Sequence, residues 1–260
     1  MAVMDRFTGT RALITGGSRG IGAAVARRLA AEGAAVTITY RCNAGLAEAV
    51  VAELTEAGRT AFAFRCDVRD RATAHQVTSQ AADRMGGLDV LVSNAGVEYF
   101  GPLAGITEDD VRRVLDTNVA GQLYAVQAAV PLMTGGGRIV LMSSVSNGIA
   151  VYEHSLYAAS KAAVVALARN LAPELAARNI AINAIAPGGT ATDMATENAP
   201  HYTHPLLRGY NMSGQAQISL HASLGRLAEP EEIAAAIAFL VSPDAAYLNG
   251  ATLAADGGWM

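Results

Sequence analysis

The sequence predicts an α/β chain built on a doubly wound parallel sheet of about seven strands flanked by helices. Two observations predict it. Short apolar runs alternate with helical patterns from one end to the other, and a glycine cluster joins the first run to the first helix. The runs are almost continuously hydrophobic, which suits strands buried on both faces, as in a parallel sheet.

In chain order, Arg11–Thr15 reads as the first strand and Ile21–Ala31 as the first helix. Strand Ala35–Tyr40 and helix Leu46–Ala57 follow, then strand Ala61–Cys66 with helix Arg71–Met85, then strand Val90–Ser93. Thr107 ahead of Glu108–Asp110 looks like a helix start with an acidic first turn, and the helix is read over Asp109–Leu132. Strand Arg138–Ser143, helix Leu156–Arg178 and strand Ala181–Ile185 come next. A second acidic start at Glu229-Pro230-Glu231-Glu232 opens helix Glu231–Val241, and Ala251–Ala255 reads as the last strand. The alternation implies right-handed βαβ units. No linker, repeat or composition break divides residues 1–260, so they read as one domain.

Two segments stand out. Leu156–Ala172 is apolar nearly all round, so it is expected to be covered on more than one side, with a subunit interface as the natural cover and core burial as the alternative. Gly188–Leu224 lacks a long period and carries Pro200, His201, Tyr202, His204, Pro205 and Tyr210. An irregular segment of that length is usually functional, and it reads as a substrate lid.

Composition excludes several classes. A net charge of −4 lacks the basic excess of a nucleic-acid binder. Met1–Thr10 shows no export signal, and no apolar run approaches the roughly 20 residues that span a bilayer. Cys42 and Cys66 make neither a disulfide framework nor a zinc set, and are expected as semi-buried thiols at strand ends. His201 and His204 lack a third ligand, so no metal is expected. These features together read as a cytoplasmic protein with a small-molecule substrate. Among 19 Lys and Arg the single lysine is Lys161, which asks what a compact ammonium does there that a guanidinium cannot.

The first strand runs into Thr15-Gly16-Gly17-Ser18-Arg19-Gly20-Ile21-Gly22. Glycines there permit a tight turn and let backbone N–H groups approach a pyrophosphate at the helix N-terminus. The tip of strand two, Tyr40-Arg41-Cys42-Asn43, lacks the carboxylate that commonly binds the ribose 2′-hydroxyl of NAD. Arg41, with Arg19 in the glycine loop, can instead flank a 2′-phosphate, so NADP(H) is the expected cofactor. Asp67-Val68 and Asn94-Ala95-Gly96 fall at the ends of strands three and four, where ligands of such sheets bind.

Tyr157 and Lys161 lie one helical turn apart on one face. A free phenol, with a pKa of about 10, is a poor acid or base at neutral pH, and a nearby ammonium is expected to lower it. Ser144, thirteen residues earlier, can hydrogen-bond a substrate oxygen, and Asn118 can hold a water linking Lys161 to solvent. Tyr157 would then neutralise a developing alkoxide while a nicotinamide delivers hydride to carbon.

These residues give the chain a family resemblance. TGGSRGIG at 15–22, DV at 67–68, NAG at 94–96, Asn118, Ser144, YAASK at 157–161 and PGGTATDM at 187–194 resemble the short-chain dehydrogenase/reductase family over practically the whole length. The resemblance implies a Rossmann fold and a tetrad of Asn118, Ser144, Tyr157 and Lys161, with Lys161 also on the nicotinamide ribose. It implies contacts of Pro187, Gly188, Thr190 and Thr192 with the nicotinamide end, and a homotetramer or homodimer packed partly through the tyrosine-bearing helix. Ser93 departs from the asparagine that often precedes NAG, and the change is expected to be harmless. The PGGTATDM segment, the long lid and the ending Asp256-Gly257-Gly258-Trp259-Met260 look like hydroxynaphthalene reductases and related aromatic polyketide ketoreductases. On that reading Gly189, Tyr202 and Tyr210 face substrate, with a tyrosine stacking on a flat ring; His154, three residues before Tyr157, reads either as a pocket residue facing substrate or as a satisfied loop histidine. A 3-oxoacyl thioester reductase is the alternative enzyme. A non-catalytic NADP sensor is a further one, disfavoured because a sensor does not need Tyr157 with Lys161.

Overall fold

The computed structural model describes residues 5–202 and 221–259. Seven strands form one parallel sheet in the order β3-β2-β1-β4-β5-β6-β7. They are β1 Arg11–Thr15, β2 Ala35–Tyr40, β3 Ala61–Arg65, β4 Val90–Ser93, β5 Gly137–Met142, β6 Ile180–Pro187 and β7 Thr252–Ala255. The helices are α1 Gly20–Ala31, α2 Ala44–Glu56, α3 Arg71–Met85, α4 Glu108–Leu115, α5 Gly121–Ala129, α6 Ser155–Ala176, α7 Asp193–Asn198 and α8 Pro230–Val241. Every strand expected from the sequence is present, and so is every helix except the one read over Asp109–Leu132, with ends shifted by a few residues at most.

Side chains alternate across each strand, and here both faces are apolar. Ala12 and Ile14 of β1 pack with Val25 and Leu29 of α1 and Ile237 of α8 on one face. Leu13, between them, packs on the other face with Val126 of α5 and Val164 and Ala168 of α6. That two-sided burial is why the strands lack a polar alternation. β1 pairs with both β2 and β4, so the chain reverses direction across the sheet at β1. The reversal opens a crevice at the carboxyl ends of β1 and β4, where ligands of such sheets bind. No described helix is long and apolar enough to cross a membrane.

Two expectations are corrected. The helix read over Asp109–Leu132 is interrupted: Asp116–Ala120 forms a π turn between α4 and α5, and Val130–Leu132 tightens into a 3₁₀ turn. The π turn carries Asn118, fully buried, whose side chain bonds both backbone groups of Val97, so a distant loop holds the extra residue in place. The two cysteines, expected to be alike, differ: Cys66 is buried and Cys42 is exposed.

Candidate active site

The crevice is a cavity of about 510 Å³ running from the glycine turn and Arg41 at one end to Tyr157, Tyr202 and Trp259 at the other. The turn itself requires glycine. Gly16 has a φ of +66°, and a Cβ there would lie 2.9 Å from the Cα of Ala95. A Cβ on Gly22 would lie 2.3 Å from the carbonyl oxygen of Gly16, so Gly22 lets the helix close onto the turn rather than line the cavity. Asn94 ties the next strand to this turn, its Nδ2 donating to the carbonyls of Thr15 and Gly16 at 3.0 Å each. Gly16, Ser18, Arg19, Gly20, Ile21, Tyr40, Arg41, Asp67, Val68, Asn94, Ala95 and Gly96 all line the cavity, as do Pro187, Gly188, Gly189, Thr190 and Thr192.

Two of the charged candidates have partners inside the protein. Arg19 pairs with Asp193 at 3.1 Å and Glu197 at 3.2 Å, both on α7, which Thr192 caps. Asp67 is held by Arg69, whose guanidinium lies 2.6 Å away and keeps the carboxyl below its ordinary value. Arg41 lies exposed beside the cavity with its Nε on the Cys42 sulfur at 3.4 Å.

At the other end, α6 delivers Tyr157 and Lys161 from one face, both buried. Lys161 Nζ donates to the Met142 carbonyl at 2.9 Å and lies 5.4 Å from the centre of the Tyr157 ring. Burial lowers the Lys161 pKa to about 8, against a raising influence from Glu98. Sequence reasoning expected the ammonium to lower the Tyr157 pKa; instead burial pushes the phenol up, Glu98 adds to the rise, and a hydrogen bond with Ser144 opposes it. Desolvation wins because both groups are enclosed and the phenolate would lose its hydration. Ser144 opens the 3₁₀ turn Val145–Asn147 after β5, and its Oγ accepts from the Ser146 N–H at 3.2 Å.

Asn118 does not line the cavity. Its side-chain amide donates to the Val97 carbonyl and to Ser160 Oγ, and its main-chain carbonyl accepts from Gln122 Nε2. These bonds tie the π turn to the loop after β4 and to α6. Of the two readings of His154, the structure favours the satisfied one over the one facing substrate: it lies one layer behind the wall, 1% exposed, with its ring stacked on Tyr157 at 4.6 Å and on Phe100 at 4.2 Å. A flat ring between two others is packed out of reach. Tyr202 does line the cavity, whereas Tyr210 lies outside the described residues, as do His204 and Pro205. Sequence reasoning missed Glu98 and Trp259 as lining residues. The signal for Glu98 was present: a carboxylate two residues beyond Asn94-Ala95-Gly96, at the carboxyl end of a strand.

A family model described as "Enoyl-(Acyl carrier protein) reductase" matches residues 16–260. A short chain dehydrogenase/reductase from Aspergillus aculeatus is 40% identical over 254 residues, covering 97% of this chain and 96% of that protein. The chain belongs to the short-chain dehydrogenase/reductase family. This dehydrogenase/reductase is also 39% identical to a hydroxynaphthalene reductase-like protein from Metarhizium robertsii, over 97% of its own chain and 95% of the other. Among solved structures, a short chain dehydrogenase from Burkholderia cenocepacia in complex with NADP matches with a TM-score of 0.87 at 40% identity, covering 97% of this chain and 98% of that one. The protein is therefore an oxidoreductase by family.

Proposed function

We propose that this protein is an NADP(H)-dependent ketoreductase that reduces a carbonyl of a cyclic or polycyclic aromatic, polyketide-type substrate, with Tyr157 as proton donor. The observation that carries the reading is the single cavity that joins a glycine-lined, Arg41-bearing end to a buried Tyr157–Ser144–Lys161 cluster. Its dinucleotide end fits the cofactor: Gly16, Ser18 and Gly20 line the cavity where the turn meets the N-terminus of α1, so backbone N–H groups there can meet a phosphate. Arg41, and Arg19 once released from α7, supply donors for the 2′-phosphate. The Burkholderia cenocepacia relative crystallised with NADP supports the same choice.

Bound there, NADPH supplies the hydride. The protein's own groups handle the proton. Burial keeps the Tyr157 phenol protonated at neutral pH, so it stands ready to neutralise an oxygen that becomes strongly basic as carbon is reduced. Ser144 donates to the same substrate oxygen and orients it. Lys161, whose Nζ donates to the Met142 carbonyl, binds a ribose hydroxyl on this reading and steadies the phenol.

Tyr202, Trp259, Val151 and Met194 give the substrate end apolar and aromatic walls suited to a flat ring. The hydroxynaphthalene reductase-like relative supports that substrate class. A 3-oxoacyl thioester is the second reading, favoured by the description of the matching family model. The lid on this reading is the segment at about 188–224, of which residues 203–220 lie outside the described ones. The assembly is a homotetramer or homodimer packed partly through α6, which leaves Ala159, Ala162 and Ala166 exposed on the single chain.

The test is NADPH oxidation, with NADH in parallel, against hydroxynaphthoquinones, polycyclic aromatic ketones and acetoacetyl thioesters. Turnover of the ring ketones with NADPH is expected, and a preference for the thioester would replace this reading with the second. Tyr157→Phe is expected to bind NADPH near normally and to lose turnover; retained turnover would remove Tyr157 as donor.

A further inference from the structure

Glu98 is a carboxylate in the substrate end of the cavity with no part in the chemistry above. Its side chain is only 5% exposed, and a glutamate is rarely so buried unless it is paired. One oxygen, Oε1, accepts from the Tyr202 hydroxyl and lies 3.1 Å from His154 Nε2. The partners are themselves immobilised: His154 stacks between Phe100 and Tyr157, and Tyr202 sits edge-on to Phe100 at 4.9 Å. Glu98 thus holds a fixed place beside the reacting groups, close enough to raise the pKa of both Tyr157 and Tyr202. A carboxylate has about four acceptor positions, so two bonds leave it capacity toward the cavity it lines.

We propose that Glu98 determines substrate specificity, accepting a hydrogen bond from a ring hydroxyl of a neutral hydroxylated aromatic ketone and excluding ketones that carry a carboxylate near it. The proposal rests on the ring-ketone reading and sharpens it. A hydroxyl meeting a buried carboxylate forms a charge-assisted bond, stronger than one between neutral groups. A second carboxylate brought into the same enclosed space meets little screening. An unsubstituted ring ketone leaves the remaining acceptor capacity unused, which costs binding because the site was built polar. Selectivity between a hydroxylated and a plain ring is therefore written in one residue of the β4 loop.

The experiment measures kcat/KM with NADPH for α-tetralone and for tetralones carrying a hydroxyl or a carboxylate at each free ring position in turn. At one position or more, the wild-type enzyme is expected to favour the hydroxylated ring over the plain one by about tenfold, the size of a hydrogen bond to a charged group. It is expected to disfavour the carboxylated ring at that position by about a hundredfold relative to the hydroxylated one. Glu98→Gln, which keeps the shape and removes the charge, should narrow the hydroxyl-to-carboxylate ratio about tenfold or more. NADPH binding by fluorescence checks that the variant is folded; if it is not, the wild-type panel alone decides. Tetralone turnover without discrimination, or ratios unchanged in folded Glu98→Gln, overturns the inference and leaves the ring-ketone reading standing. Turnover of acetoacetyl thioester with no turnover of any tetralone overturns both.

Discussion

Lys161 is the sequence's single lysine, and its burial gives it a measurable signature. Its folded pKa, about 8, lies below the ordinary 10.5, so between those values the unfolded chain holds a proton that the folded chain has released. Stability therefore rises with pH across that window, by roughly 1.5 kcal/mol between pH 8 and 9.5. The window stays below pH 10, above which the raised pKa of Tyr157 acts in the opposite sense. Thermal melts of the cofactor-free protein should show wild type gaining on Lys161→Met over this range; parallel curves would mean that the ammonium keeps its proton in the folded state. Arg41 carries a separate prediction. Arg41→Asp should weaken NADPH binding at least about tenfold more than NADH binding, because a carboxylate repels the 2′-phosphate and accepts from a 2′-hydroxyl. Equal losses in titrations of the two cofactors would remove Arg41 from the phosphate site.

At the scale of elements, α7 is tied to the glycine turn through Arg19, which pairs with Asp193 and Glu197. On the proposed 2′-phosphate role the same guanidinium would be wanted twice, so α7 and the cofactor would compete for it. Replacing Asp193→Asn together with Glu197→Gln should tighten NADPH about two- to fivefold, the scale of exposed ion pairs, and leave NADH unchanged. A variant that binds both cofactors as before would show that Arg19 is free to serve both. The π turn between α4 and α5 acts in the same way at another site. Asn118 reaches from it to hold Val97, and so positions the loop that carries Glu98.

For the whole molecule, the parallel sheet puts every loop of the site on one edge, since each strand ends there before its crossover. The dinucleotide end is built by the loops after β1, β2 and β3, and the reacting end by those after β4, β5 and β6. α6 has one face on the sheet and another with exposed alanines, which is where a second copy would pack. Ala162→Arg should shift the sedimentation profile toward smaller species, because a guanidinium cannot be enclosed there unpaired. An unchanged profile would place the subunit contact elsewhere.

The strands, the helices, the glycine turn and the Tyr157–Lys161 pair were legible in the sequence because each is a local matter. Apolar period, turn chemistry and one helical turn of spacing act over a few residues, whatever the rest of the chain does. The tertiary structure alone decided which charged and ring side chains meet. Glu98 finds His154 and Tyr202 at separations of 56 and 104 residues, and Arg19 finds α7 across 174 and more. No pattern in the intervening sequence encodes those meetings. The same holds for the direction of the Tyr157 shift: the sequence shows an ammonium one turn away, but how much water surrounds the phenol depends on how the loops after β4 and β5 close over it. The local code thus sets what the site contains, while packing across the sheet sets the field in which it works.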